Sequence, residues 1–313
     1  MKMKDVLFEE LVKNGYSQLK YGKKVWEAAN RSFLYMTPEL VKSFLKLRQH
    51  PRYVKTITEI ETQLLKKHAQ SIARGLSGLS FNLIDMGCED GSKAKALLES
   101  VNGKSKVKFC SVNVSRELAE MALKNIKTAD FNNVEELEVC IADFKSLYEV
   151  VTKIKSLKYK KNVILLLGSI LASFEIHDYL FNLSQSMFKE DVLIIGNGIR
   201  VGERFVNIEN YKGVLFKEWF SHIIKEFGFN FDEVEYDARF ENGRLEIFYK
   251  IKKNKILNYK RKKIEFKAGD EIVVGILYKY YEKELEEFCR MYFREVELVK
   301  DEDNEYALVI CKK

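Results

Sequence analysis

The chain has 313 residues, a net charge of +7, 46% hydrophobic and 32% charged residues, a balance that belongs to a soluble globular protein with core enough for one large domain or two smaller ones. It excludes a membrane-spanning segment, since no apolar run approaches ~20 residues. Five scattered cysteines without C-x-x-C spacing argue for reduced thiols in a cytosol and against a structural zinc. The opening Met-Lys-Met-Lys-Asp-Val has no long apolar stretch behind it, so no secretory signal and a cytoplasmic location are expected.

Residues 1–76 read as helical. Val6, Leu7, Leu11 and Val12 give a short amphipathic start. Thr37 suits a helix cap and Pro38 the first turn, with Leu40, Val41, Phe44 and Leu45 on the apolar face. Tyr53 to Ala73 predicts a long helix with Ile57, Ile60, Leu64, Leu65, His68 and Ile72 at helical spacing, so His68 is expected to pack. Gly75 and Gly78 end it.

The pattern then changes at Asn82-Leu83-Ile84-Asp85-Met86-Gly87-Cys88-Glu89-Asp90-Gly91-Ser92-Lys93, which reads as a buried strand, a glycine turn and a helix start. Glycine has no Cβ and tolerates φ > 0, so a ligand can approach bare backbone there. The first N–H groups of the helix favour an anionic or hydrogen-bond-accepting partner. Cys88-Glu89 break the three-glycine dinucleotide pattern, and the phosphate-loop spacing does not occur here.

Val107 to Val112 predicts a second strand, and Ser115 a simple cap for a helix from Arg116 to Lys127. Leu137–Ile141, Asn162–Leu167 and Asp191–Gly196 are further strands. Such alternation implies a parallel sheet with right-handed crossovers, whose ligands sit beyond the carboxyl ends of the strands. The candidate ligand positions are therefore Gly87 to Gly91, Asn113, Asp143-Phe144, Gly168-Ser169 and Asn197-Gly198. From Val201 the character shifts. Phe205–Phe227 predicts a helix, and Val234–Phe240 and Arg244–Lys250 a hairpin turned by Asn242-Gly243. Ile264–Phe266 and Glu271–Ile276 continue as strands, followed by a helix over Lys279–Tyr292. Glu295–Val299 and Tyr306–Cys311 form a terminal hairpin. The basic cluster from Lys250 to Lys263 reads as a solvated hairpin or as a patch for nucleic acid.

The turn Asp85-x-Gly87-x-x-x-Gly91 resembles the first loop of class I S-adenosylmethionine (SAM)-dependent methyltransferases, and the closing hairpin resembles the finish of their sheet. Several stretches, in order from Tyr53 to Ile276, resemble one family within that class: the histidine-specific Nα-trimethylating enzymes that form hercynine in ergothioneine synthesis. These are Asp85-x-Gly87-x-x-x-Gly91-Ser92-Lys93, Val112-Asn113-Val114-Ser115, Ala142-Asp143-Phe144 and Leu166-Leu167-Gly168-Ser169-Ile170-Leu171-Ala172-Ser173-Phe174-Glu175. Fainter echoes are Tyr53-x-x-Thr56-x-x-Glu59, Lys212-Gly213-Val214, Gly228 to Asp232, Arg244-Leu245-Glu246 and Phe266-x-Ala268-Gly269-Asp270.

The resemblance implies an α/β, Rossmann-like class I methyltransferase sheet that binds SAM and needs no metal. The turn bearing Asp85 would hold the cofactor's amino-acid end, with Gly87 and Gly91 giving it bare backbone and Lys93 neutralising its carboxylate. Asn113 would take the ribose, Asp143 and Phe144 the adenine, and Gly168-Ser169 the channel near the methyl. Tyr53, Ser173 and Tyr211, with Glu175, are the candidates to position an amine or receive its proton. Four segments are expected: a helical region over 1–76 packing on the core, a SAM-binding core over 77–200, an inserted substrate cap over 201–276, and a helix and hairpin over 277–313 completing the sheet.

Departures from the family pattern bear on the substrate. Asn113 stands for an aspartate, Ser173 for an asparagine, and Gly275 and Leu277 for the glutamate and serine that hold an imidazole. A glycine and a leucine cannot hydrogen-bond an imidazole through their side chains, which argues against histidine. The expected activity is N-methylation of an amino acid or related small amine. The alternatives are an RNA or protein methyltransferase using the basic 250–263 hairpin, or a binding protein with a decayed site.

Overall fold

The computed structural model of the protein describes residues 3–18, 22–76, 78–101, 105–202, 208–260 and 262–313. The chain divides into two compact units, one of Met1–His50 with Arg204–Lys279 and one of Pro51–Glu203 with Tyr280–Lys313.

The first unit opens with α1 (Met3–Asn14), β1 (Tyr16–Gln18), β2 (Lys24–Glu27), a 3-10 turn over Arg31–Tyr35 and α2 (Pro38–Arg48). The second begins with α3 (Pro51–Tyr53), a π turn over Val54–Thr58 and α4 (Glu59–Arg74). Strands and helices then alternate: β3 (Ser80–Met86), α5 (Ser92–Val101), β4 (Lys106–Asn113), α6 (Arg116–Thr128), β5 (Val134–Ile141) and α7 (Leu147–Ile154). They continue with β6 (Lys161–Leu166), α8 (Ile176–Ser186) and β7 (Val192–Gly198). The first unit resumes with α9 (Ile208–Lys212), α10 (Val214–Glu226), β8 (Val234–Glu241), β9 (Arg244–Ile251), β10 (Lys255–Tyr259), β11 (Lys262–Phe266) and β12 (Glu271–Tyr278). The second closes with α11 (Glu282–Arg290), β13 (Glu295–Lys300) and β14 (Tyr306–Lys312). None of the described helices is long and apolar enough to cross a membrane.

In the second unit seven strands run β13-β14-β7-β6-β3-β4-β5. The five central strands are parallel, and β14 and β13 add antiparallel at one edge. This is the class I methyltransferase arrangement. Its strand order reverses between β3 and β6, where doubly wound sheets open a crevice for ligands. The central strands are apolar along their length because helices cover both faces; every residue of Phe81–Met86 and of β7 is buried. Leu64, Leu65 and Ile72 of α4 join Leu97 and Leu98 of α5, Leu83, Phe109, Val163 and Ile194 in one core.

A polar ladder ties the amino ends of three central strands. Asp191, fully buried, accepts from Asn162 N (2.8 Å), Asn162 Nδ2 (2.9 Å) and Phe188 N (2.9 Å). Asn162 Oδ1 in turn accepts from Asn82 Nδ2 (2.9 Å). Burial raises the Asp191 pKa, and these donors oppose the shift.

The first unit holds a five-stranded sheet, β1-β2-β12-β9-β8, and the separate hairpin β10-β11. Asn242 and Gly243 both take left-handed backbone (φ 51° and 75°), as a tight hairpin turn requires. Helix α10 packs on α2, with Trp219 tilted against Phe44 and donating to the Leu34 carbonyl (3.2 Å).

Two expectations change. The leading 76 residues are not wholly helical: β1 and β2 lie among them, and β2 pairs in parallel with β12. Three and four residues give too short a pattern to betray two strands whose pairing is completed by β12, far along the chain. That leading region is also shared, since its first fifty residues belong to the first unit and Pro51 onward to the sheet unit. The helix expected over Phe205–Phe227 is two helices, broken at Gly213, whose ψ of 156° is extended; its first three residues, and Arg261 of the basic cluster, lie outside the described residues.

Asp191→Ala removes three hydrogen bonds to a buried carboxylate. It is expected to lower stability by about 3 kcal/mol, read as a shift in urea midpoint.

Candidate active site

Register places the carboxyl ends of the parallel strands on one edge. Met86 lies opposite Val112 and Leu166, Asn113 opposite Ile141, and Leu166 opposite Ile195. The turn after β3 needs its glycine: Gly87 has φ 79°, and a Cβ there would collide with Ile170 and lie 2.9 Å from Phe144 Cε1. The tips of β3, β5 and β6 therefore converge on Gly87. The Gly87 and Cys88 amides both turn back to the Val112 carbonyl (2.8 and 3.2 Å). Gly91 is bare for another reason, since a Cβ would press on the Ala122 carbonyl of α6 at 3.1 Å. Asp90 Oδ1 takes the Ser92 amide (3.0 Å) at the start of α5.

Past β6 the chain turns on two left-handed residues, Gly168 (φ 73°) and Ser169 (φ 54°). A non-glycine residue in that region is uncommon. Ser169 is held there by its amide on the Gly196 carbonyl (3.1 Å) and its Oγ accepting from Gly198 N (3.2 Å).

Beneath this turn lies a buried charge cluster. Lys93, 6% exposed, pairs with Glu61 Oε2 at 2.5 Å and with Glu89 Oε1 at 3.3 Å. Glu61, fully buried, also accepts from the Gly168 amide (2.6 Å) and from the Tyr306 hydroxyl. Burial and the Glu61 carboxylate hold the Tyr306 phenol well above its ordinary pKa; Ser169 hydrogen-bonds to it, and Tyr53 adds a smaller upward push. Asp85, 4% exposed, is pushed up to about 7, mainly by burial; Lys93 opposes the shift, and Glu89, Asp90 and Glu61 add to it.

At the tips of β4 and β5, Asn113 is buried, its Oδ1 accepting from the Ser115 amide (2.9 Å) and its carbonyl from Ala142 N (3.2 Å). Ser115 caps α6 through the Leu118 amide. Asp143 Oδ1 accepts from Lys145 N (2.9 Å) in the turn before α7. Phe144 is buried, and its carbonyl takes the Tyr179 hydroxyl (2.7 Å).

The sheet unit thus brings together Asp85, Gly87, Lys93, Phe144, Gly168 and Ser169, with Tyr53 near Tyr306. Ser173 is half-buried and ends a short 3-10 turn over Leu171–Ser173 after Ile170. Glu175 caps α8 by accepting from Asp178 N (2.8 Å). Tyr211 belongs to the other unit. Its ring tilts on Phe216 (4.9 Å), and burial pushes its phenol up to about 12 against the Arg31 charge. Gly275 is in that unit too, at a bulge of β12; a Cβ there would lie 2.8 Å from Phe220 Cε1. Among the described residues no group of three or more His, Cys, Asp or Glu is placed to hold a metal.

Glu61, Glu89 and Tyr306 escaped the sequence reading. Glu61 left a signal, since it falls among Ile57, Ile60, Leu64 and Leu65 on the apolar stripe of its helix, where a carboxylate needs a buried partner. Tyr306 left none, being one more apolar-faced residue of an edge hairpin.

A family model described as histidine-specific methyltransferase, SAM-dependent, matches residues 39–313. A search of curated proteins finds no match. Similar solved structures include a SAM-dependent methyltransferase from Clostridium acetobutylicum ATCC 824, at 13% identity and TM-score 0.45 over 87% of this chain and 98% of that one. Another is SAM-bound CalS10, an amino pentose methyltransferase from Micromonospora echinaspora (14% identity, TM-score 0.38, 81% and 90% covered). A third is the 1,6-didemethyltoxoflavin-N1-methyltransferase of Burkholderia thailandensis (12% identity, TM-score 0.41, 88% and 87% covered).

The raised Asp85 pKa carries a pH dependence. The folded chain holds a proton on Asp85 that the unfolded chain sheds near pH 4, so this contribution is full below that and is lost as pH rises through about 7. Thermal unfolding followed from pH 5 to 8 is expected to show falling stability, by up to about 3 kcal/mol, and Asp85→Asn to flatten that fall.

Proposed function

This chain belongs to the histidine-specific, SAM-dependent methyltransferase family, and on that premise we propose that it methylates the amino group of an amino acid or related small amine other than histidine. The observation that carries this reading is the packing at Gly275. The family resemblance asks for an imidazole-binding glutamate there, and the Phe220 ring leaves no room for one: even a Cβ would sit 2.8 Å from it. A pocket built without that acceptor discriminates against a ligand that needs it.

The residues fit SAM in kind. A lysine among carboxylates suits an amino-acid end, and Asp143 beside Phe144 suits an adenine. In this reading Asp85, Gly87, Gly91 and Lys93 hold the amino-acid end. Asn113 holds the ribose, Asp143 and Phe144 the base, and Gly168 and Ser169 line the path of the methyl group. Bound SAM supplies an electrophilic sulfonium methyl, so the protein's task is alignment. The acceptor nitrogen must be unprotonated to attack, and Tyr53 and Ser173 of the sheet unit are the groups proposed to orient it or take its proton.

The basic hairpin is a weaker guide to the acceptor. Lys253 pairs with Asp232, Lys255 with Glu233, Lys260 with Glu9 and Lys263 with Glu265, so much of its charge is answered within the unit. A nucleic-acid dock wants that charge outward.

Calorimetric titration with SAM is expected to show binding, weakened about tenfold, or about 1.4 kcal/mol, by Asp143→Ala. A labelled-methyl screen over amino acids and small amines is expected to find an acceptor, with histidine a poor one. Efficient methylation of histidine, or of RNA alone, would refute the proposal.

A further inference from the structure

The sheet unit holds a pair of thiols that methyl transfer does not use. Cys110 of β4 stands opposite Glu138, and Cys140 of β5 opposite Val112, so the two cysteines lie one diagonal step apart on the same face of the sheet. Their sulfurs meet at 3.4 Å, with the Cys110 thiol donating to Cys140 Sγ. Strand β5 ends the sheet and is paired on one side only. It is therefore free to draw toward β4, and a disulfide asks the sulfurs to approach by roughly 1.4 Å.

A cation completes the group. Lys153 of α7 sets its ammonium 3.7 Å from Cys140 Sγ, 3.3 Å from the Val139 carbonyl and 3.0 Å from Glu138 Oε1. The Cys110 donor first, then the Lys153 charge, draw the Cys140 thiol down to about 7, against burial and Glu138. The same hydrogen bond, with burial, pushes the Cys110 thiol well up. Near neutral pH the charge of the pair thus falls on Cys140 and the proton on Cys110, and a thiolate is the nucleophilic form. Cys140 is buried, yet the lysine side chain against its sulfur is 55% exposed. A molecule as small as hydrogen peroxide needs only that flexible chain to swing aside. A second thiol pair gives the contrast. Cys289 of α11 and Cys311 of β14 hydrogen-bond, both fully buried, and burial with the Cys289 contact pushes the Cys311 thiol well up against a smaller pull from Arg290.

We propose that Cys140 and Cys110 form a peroxide-oxidised site, in which the Cys140 thiolate attacks hydrogen peroxide and Cys110 resolves the product to a disulfide joining β4 and β5. In the first step an S–O bond forms as the O–O bond breaks. Sulfur loses two electrons, the peroxide gains them, and the departing hydroxide takes a proton from solvent. In the second the Cys110 sulfur attacks the sulfenic sulfur, the S–S bond forms, the S–O bond breaks, and hydroxide leaves with the Cys110 proton as water. None of this depends on the chain binding SAM.

The test is peroxide treatment of the folded chain at neutral pH, followed by blocking of the remaining thiols and peptide mapping by mass spectrometry. A cross-linked Cys110–Cys140 peptide, released by dithiothreitol, is expected to form at least about tenfold faster than any product at Cys88, Cys289 or Cys311. In urea that advantage is expected to vanish, since it belongs to the fold. Lys153→Met, which keeps the stem and drops the charge, is expected to slow the bridge about fivefold. Cys110→Ala is expected to stop at a sulfenic acid on Cys140 that dimedone traps, and the lysine variant serves if this one does not fold. Cys110 and Cys140 both left free, a Cys289–Cys311 bridge formed as fast, or an undiminished rate in Lys153→Met overturns the proposal.

Discussion

The sheet unit turns on the pairing of Glu61 with Lys93. Neither charge would survive so far from water alone, because the cost of stripping its hydration is several kcal/mol. Together they offset that cost, with the Gly168 amide and the Tyr306 hydroxyl both donating to Glu61 Oε1 and the Lys93 ammonium set against Oε2. The pair joins α4, α5, the turn after β6 and strand β14. It also explains a glycine in mid-strand, since a Cβ at Gly196 of β7 would collide with Glu61 Oε1. Asp85 feels the same surroundings, and its raised pKa records chiefly how deeply it is buried, with the neighbouring carboxylates adding to the push.

Much of this was legible from residue pattern. The apolar runs Leu83-Ile84 and Val163 to Leu166, each followed by a glycine-bearing turn, announce parallel strands that end at a ligand edge, and Asn242-Gly243 announces its hairpin. These signals are local. What stayed hidden is non-local. Val25 and Trp26 lie between Ser17 and Tyr16 on one side and Glu271 and Ile272, far along the chain, on the other. The π turn over Val54–Thr58 has no cue in a helical stripe. Apart from Glu89 and Lys93, which stand four residues apart, the charge cluster draws its members from α4, α5 and β14, and no spacing rule relates those elements.

The substituted positions also gain a physical sense. Asn113 lacks the charge of an aspartate, yet its Oδ1 holds the Ser115 amide and so shapes the tip of β4. Gly275 accommodates a neighbour's aromatic edge at a bulge. Each is a fitted piece of its own surroundings.

The hydroxyl that completes the Glu61 shell is supplied 245 residues later in the chain. On a ribosome, Glu61 and Lys93 emerge long before Tyr306, with the whole run from Arg204 to Lys279 made in between. Closing so wide a span is slow and entropically costly. The buried charge cluster therefore takes its final form only once synthesis has reached β14, and an interrupted product carries the turn without its keystone.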